Sequence, residues 1–330
     1  LMKFPGLNLI EKIRYALKVL YCKNLKNFEA LDREKATVWL RTWLGERAYK
    51  ILWEPLMSLK FYHLKNEVSA AWIAARVQRV AHSRESLFKE KLGYLAGGSD
   101  TLLFALEAAI RQRGGDVLLS TPVEQVLVSG GRATGLRVKG IEHQFDRVIS
   151  TIPLPYVANI APDLPEDDLQ KLRQLRNVGV VTVKFKLSQQ LTPYFWLNLT
   201  DTSYGIPGII EYSNLNPLPD TIVYVPYYMP QDNVKFTWDD EQFRTETVRC
   251  FQAINPGFSE SWILSFHVSR YFYAQPVCVP GFLATLPPMK SRIDDFFMAD
   301  TSYYYPQDRS ITESIKLGNQ LADMAVTGHG

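Results

Sequence analysis

The chain has 330 residues, 46% of them apolar, enough for a large core and, by size, for two domains. Its 37 basic and 34 acidic residues nearly cancel at +3, and no dense Lys/Arg run occurs outside the first helices, a balance that argues against a nucleic-acid partner. Cys22, Cys250 and Cys278 are odd in number and far apart, and no apolar stretch approaches the roughly 20 residues a bilayer requires, so a reducing, cytoplasmic setting without a spanning helix is expected.

The opening Leu1-Met-Lys-Phe-Pro has no initiator methionine at its first position and no signal-peptide core, and it reads as an entry into the middle of a fold. Over residues 8 to 23, Leu9, Ile10, Ile13, Ala16, Leu17 and Leu20 recur at helical spacing, with Glu11, Lys12, Arg14 and Lys18 expected on the surface. Such a helix either packs its stripe on a neighbour or lays a basic face on an anionic membrane. Further helices are expected over 37–44, 46–59 and 69–80, making residues 1–91 mainly helical.

At Tyr94-Leu-Ala-Gly-Gly-Ser-Asp100 two glycines precede a helix over 101–113, with Ser99 or Asp100 as its cap and Gly114-Gly115 as its end. Strand-like segments follow at 117–119, 122–128, 133–138 and 147–153, with a Gly130-Gly131 turn among them. Helix alternating with short strands implies an α/β layer. From about residue 178 the pattern turns strand-rich, at 180–187, 208–212, 221–228 and 262–268, and aromatic, with Tyr194, Phe195, Trp196, Tyr212, Tyr224, Tyr227, Tyr228, Tyr271 and Tyr273. These side chains suit either a sheet facing a flat apolar ligand or an ordinary sheet core. The tail returns to an α/β pattern. A buried run from Phe296 to Ala299 closes on Asp300, and a loop through Tyr303, Tyr304, Tyr305 and Pro306 leads to a helix starting near Ser310. A strand end facing a helix N-terminus can hold a dinucleotide, and it can equally be a plain βα unit.

The five histidines show no ligand spacing with one another or with the cysteines, so no metal site is expected. No Gly-x-Ser-x-Gly elbow and no P-loop occurs.

Taken in order, the helical insert, the Gly-Gly before a helix, Thr121-Pro-Val123, Val148-Ile-Ser-Thr-Ile-Pro153, the aromatic sheet and Met298-Ala-Asp300 resemble the flavin-containing amine oxidase superfamily, in particular its protoporphyrinogen oxidase-like and phytoene desaturase-like oxidoreductases. The resemblance implies an α/β chain, α+β overall: an incomplete Rossmann-like FAD-binding domain (92–160 and 285–330) with a helical insert (1–91) and a mixed-sheet substrate domain (161–284). It implies FAD as cofactor, with Gly97 and Gly98 in the flavin domain, Pro122 and Val123 beside the adenine, and Thr151 and Pro153 shaping the flavin pocket. By the same match Ala299 and Asp300 lie at the ribityl or pyrophosphate, with Ile311 and Thr312 under the isoalloxazine. Ala299 stands where the pattern has Gly, adding a methyl near the phosphates, and Arg309 and Glu313 stand where small residues are common.

The implied reaction is hydride removal from an apolar, amine-bearing or lipid-linked small molecule, with peripheral membrane contact as a partner option. Glu211, Tyr271 and Tyr304 are the candidate catalytic side chains of the substrate pocket, with Tyr194, Trp196 and Tyr273 as further walls; for Glu211 the competing reading is an exposed strand residue. A flavin-dependent sugar mutase and a noncatalytic remnant are the alternatives. The family's Gly-x-Gly-x-x-Gly after an N-terminal strand is absent from residues 1–330. On that ground the chain is expected to be a fragment that binds FAD poorly or not at all.

Overall fold

The computed structural model of the protein describes residues 4–83 and 93–327. The chain divides into two compact units, residues 1–93 with 177–280, and residues 94–176 with 281–330. The boundary expected at 91/92 lies outside the described residues, as does His329. Residues 161–176, assigned above to the sheet domain, cluster with the second unit.

Unit 1 opens with six helices: α1 (Leu9–Lys23), α2 (Glu29–Asp32), α3 (Ala36–Leu44), α4 (Glu46–Leu52), α5 (Glu54–Phe61) and α6 (Ala70–His82). Asn8 caps α1 through a reciprocal box with Glu11, and the Ser69 hydroxyl caps α6. The single helix expected over 46–59 is two, broken at Trp53. Pro55 lies in the first turn of α5, where its missing N–H does no harm; a helix continuing from α4 would force its ring against the carbonyl of Ile51.

The surface expected of α1 holds for Arg14, which is exposed, and fails for Glu11, Lys18 and the apolar stripe. Glu11, Lys18 and Cys22 are buried, whereas Leu9, Ile10, Ile13, Leu17 and Leu20 are exposed. The buried stripe is held by polar contacts: the Glu11 carboxylate accepts from the Arg47 guanidinium, and the Lys18 ammonium lies over the rings of Trp39 and Trp43.

The chain then enters unit 2 with α7 (Asp100–Gln112), strands β1 (Gln125–Ser129), β2 (Arg132–Val138), β3 (Ile141–Gln144) and β4 (Val148–Ser150), and helices α8 (Leu154–Ile160) and α9 (Glu166–Gln174). Strands β1, β2 and β3 form an antiparallel meander. Gly130 and Gly131 both have positive φ, +60° and +81°, as a tight two-residue hairpin requires. The strand expected at 117–119 does not form, and Leu118 and Leu119 are exposed. Helix α7 is amphipathic in sequence, yet none of its residues is buried.

Back in unit 1, β5 (Asn177–Leu187), β6 (Trp196–Asn198), β7 (Gly208–Glu211), β8 (Thr221–Pro230), α10 (Asp240–Ile254) and β9 (Ile263–Pro276) follow. The five strands form one sheet in the order β6-β7-β8-β5-β9. Along β5, Val181, Val183, Phe185 and Leu187 are buried while Lys184 and Lys186 point to solvent, the period of two that buries one face. That face packs on α10, where Phe251 meets Phe185 edge-on at 5.1 Å. Burying each such ring is worth roughly 2–3 kcal/mol. Helix α10 lies outside the elements expected from the sequence, although Asp239 and Gln242 form a capping box at its start. Unit 2 closes with β10 (Phe296–Met298), which pairs in parallel with β4, and with α11 (Ile311–Thr327).

Candidate functional site

In unit 2 the β4/β10 pair delivers two chain ends to one place. Met298 pairs with Ser150, and the Ala299 N–H donates to the Ser150 carbonyl at 3.0 Å, so Thr151 and Asp300 leave the sheet as neighbours. Asp300 Oδ2 accepts from the Leu154 N–H and Oδ1 from the Ser302 N–H, each at 2.8 Å. One carboxylate thus fixes both loops, the one entering α8 and the 3-10 turn over Thr301–Tyr304. Burial pushes its pKa above the ordinary aspartate range, opposed by the hydrogen bonds from Leu154 and Ser302.

Ala299 is buried with Phe297, Leu317 and Leu321 in the core of unit 2, where packing takes up its methyl.

Ile311 and Thr312 are exposed in the first turn of α11, and Ser310 Oγ accepts from the Glu313 N–H as its cap. Helix geometry leaves the earliest N–H groups of α11 without intrahelical partners. Gly97 and Gly98, with φ of +81° and +84°, turn the chain into α7. Pro122 and Val123 lie in the extended segment before β1, where the Glu124 N–H already donates to the Arg137 carbonyl. Pro153 precedes α8, and Tyr304 donates its hydroxyl to Ser314 Oγ at 2.9 Å.

The residues at this junction fit the edge of a polar cofactor. The Ser150 hydroxyl is buried without a partner at the end of β4, next to the exposed Thr151, and Asp300 retains acceptor capacity beyond its two backbone bonds. Ser150 does not stand out in the sequence, because an orphaned hydroxyl is visible only once its neighbours are known.

The three catalytic candidates are distributed differently. Tyr304 is in unit 2, while Glu211 and Tyr271 are in unit 1. Glu211 lies on β7 and Tyr271 on β9, three strand spacings apart in the sheet order, or about 14 Å. They do not act on one atom together. Tyr271 is exposed, as are Tyr194 and Trp196.

Glu211 is neither an exposed strand residue nor an open carboxylate. It is 1% exposed and accepts from the Leu191 N–H at 3.0 Å, the Thr192 N–H at 2.7 Å and the Thr192 hydroxyl at 2.9 Å. Burial raises its pKa, against these bonds. Glu211 therefore fixes the turn after β5. Glu211→Gln, which presents a donor where an acceptor is needed, should cost roughly 2 kcal/mol. Urea unfolding checks this, and an unchanged midpoint would remove the structural role.

Among the described residues, no helix is long and apolar enough to cross a membrane, and no cluster of three His, Cys, Asp or Glu could hold a metal.

A comparison with curated proteins gives no match. Among solved structures, an oxidoreductase from Methanosarcina mazei is similar at 16% identity and a TM-score of 0.66, covering 89% of this chain and 68% of its own. A protein from Exiguobacterium sp. 255-15 described as a protoporphyrinogen oxidase matches at 19% identity and 0.64, covering 90% and 68%. Putrescine oxidase bound to putrescine matches at 15% identity and 0.66, covering 98% and 77%. These likenesses show a shared fold. The model of flavin containing amine oxidoreductases matches residues 1–303, and the chain, with its α/β unit around Asp300 and its aromatic five-stranded sheet, belongs to that family of FAD-dependent oxidoreductases.

Proposed function

We propose that unit 2 holds the isoalloxazine and ribityl part of FAD at the β4/β10 junction, and that the protein oxidises an apolar small molecule by removing a hydride from a C–N or C–C bond. Bound flavin supplies the hydride acceptor. The protein's part is to position: Asp300 and Thr151 meet ribityl or phosphate oxygens, the Ser150 hydroxyl takes a polar atom, and Ile311 and Thr312 lie under the ring.

The observation that carries this reading is the parallel β4/β10 pair ending on a buried Asp300 beside the unpartnered Ser150 hydroxyl. Equilibrium dialysis of FAD against the wild type and Ser150→Ala tests it. The variant should bind at least tenfold more weakly with unchanged unfolding, and equal affinity sinks the assignment. Anaerobic bleaching of added FAD by apolar amines or polyenes tests the reaction.

The exposed stripe of α1, Leu9, Ile10, Ile13, Leu17 and Leu20, supports peripheral contact of unit 1 with a membrane, with Arg14 and Lys23 also exposed on that helix. Flotation with anionic lipid vesicles should recover the wild type and lose Leu17→Glu; equal flotation of both excludes this helix as the contact.

A further inference from the structure

A cavity of about 120 Å³ in unit 1 lies among residues of α5, α6 and the strands β6, β7 and β8. Its lining is mainly apolar, and Trp53, Phe61, Trp72, Trp196 and Tyr228 are the aromatic residues of its wall. Phe61 and Trp72 meet edge-on with their ring centroids 5.6 Å apart. An apolar cavity of about 150 Å³ is enough to hold benzene, so this one has room for a single six-membered ring and not for a fused pair.

The charged side chains of the wall are already engaged. The Lys60 ammonium lies 4.8 Å from the ring centroid of Tyr228, 5.0 Å from that of Trp72 and 5.5 Å from that of Phe61. The Arg76 guanidinium lies 5.8 Å from that of Trp72, and both cations make further interactions. Asn198 Oδ1 accepts from the Trp196 indole N–H at 2.8 Å. Among the described residues no carboxylate lines the cavity. An ionic occupant would shed its water against a wall whose own ions are committed elsewhere, which is costly. An uncharged ring gives up no hydrogen bonds on entry and finds aromatic and aliphatic surface.

The backbone supports a built site. Tyr62, directly after Phe61, has φ +53° and ψ −124°, a conformation that a bulky L residue rarely adopts. That turn ends α5 and leaves its last two residues, Lys60 and Phe61, on the cavity wall. Strain of this kind persists where the surroundings hold it, and it gathers at ligand clamps.

We propose that this cavity binds one uncharged aromatic ring. That the ring belongs to the molecule being oxidised rests on the oxidoreductase reading above; the binding itself does not.

Met57, 3% exposed, lines the cavity, and its methyl group reports on an occupant. The test is a titration of protein carrying ¹³C-methyl methionine with toluene and, separately, with 1-methylnaphthalene, benzoate and benzylamine, the Met57 signal being assigned with Met57→Leu. Toluene should move that signal upfield and saturate, and the other three probes should bind at least tenfold more weakly. Leu56→Phe, which fills the cavity from its half-buried wall, should weaken toluene at least tenfold, with the remaining methionine signals reporting that the variant is folded. The proposal is overturned if toluene leaves the Met57 signal in place, if the fused or the charged probes bind as tightly as toluene, or if the folded Leu56→Phe variant binds toluene like the wild type. Because neither flavin nor turnover is needed, such a failure removes the ring site and leaves the oxidoreductase reading standing.

Discussion

Replacing Lys18 by methionine should stabilise the protein by roughly 2–3 kcal/mol at pH 6, and by much less at pH 10. Lys18 is 4% exposed, and its ammonium has no hydrogen-bond partner. It lies 3.5 Å from the Trp43 ring centroid and 3.7 Å from that of Trp39. Burial lowers its pKa from 10.5 to about 7, with Cys22 and Glu34 opposing.

A shift of that size corresponds to roughly 5 kcal/mol against the charged form. The ring faces return on the order of 2 kcal/mol as cation–π attraction. Below pH 7 both folded and unfolded chains carry the proton, and the folded chain bears the whole cost of the buried charge. Between about 7 and 10.5 the unfolded chain still binds the proton that the folded chain has released, so the penalty that Lys18 imposes changes across this window with the difference in bound protons, and wild-type stability is lowest relative to the methionine variant where the folded amine must be charged. Methionine has no charge to bury and makes favourable sulfur–aromatic contacts, so its advantage is largest in acid and fades in base. Urea unfolding at both pH values decides it: a destabilised variant, or a gain independent of pH, contradicts the account.

Asp300→Ala should cost about 3–4 kcal/mol, because it orphans the Leu154 and Ser302 N–H groups, each worth roughly 1–3 kcal/mol when buried and unmet. Asp300→Asn keeps one acceptor and should cost about 2 kcal/mol. The pH dependence has a definite sign. Since the folded carboxyl titrates above its unfolded value of 3.8, its stabilising contribution is complete below that value and is lost as pH rises through the folded pKa. The deficit of the Asn variant should therefore be larger at pH 4 than at pH 7. Hydrogen exchange at α8 and the 3-10 turn at 301–304 should accelerate in both variants, and protection equal to wild type would mean that these loops are held by something else.

Much of the fold was legible because local rules and final contacts agree. The helix starting at Ser310 and the turn at Gly130-Gly131 follow from a cap and from positive φ. The alternation Val181, Val183, Phe185, Leu187 marks a strand with one buried face. The order of short motifs also sufficed to indicate the family, since each carries its own backbone requirement.

Other features depended on which neighbour each face meets, which no periodicity specifies. Glu211 in Ile209-Ile-Glu-Tyr212 looks like a pocket carboxylate until the turn at Leu191 and Thr192 closes over it. Trp53 and Trp72, from separate helical segments, line one cavity of unit 1 together with Tyr228 of β8.

The sequence by itself determined several helices, among them α1, α3, α6 and α7, the glycine turns and the family, because caps, periods and φ restrictions are properties of a few adjacent residues. Only the tertiary structure decided that α1 turns Lys18 inward and Leu17 outward, that Ala299 fills a core, and that Asp300 ties two loops together. Burial, desolvation and hydrogen-bond satisfaction belong to pairs of residues far apart in the chain, and their free energies exist only once those pairs have met.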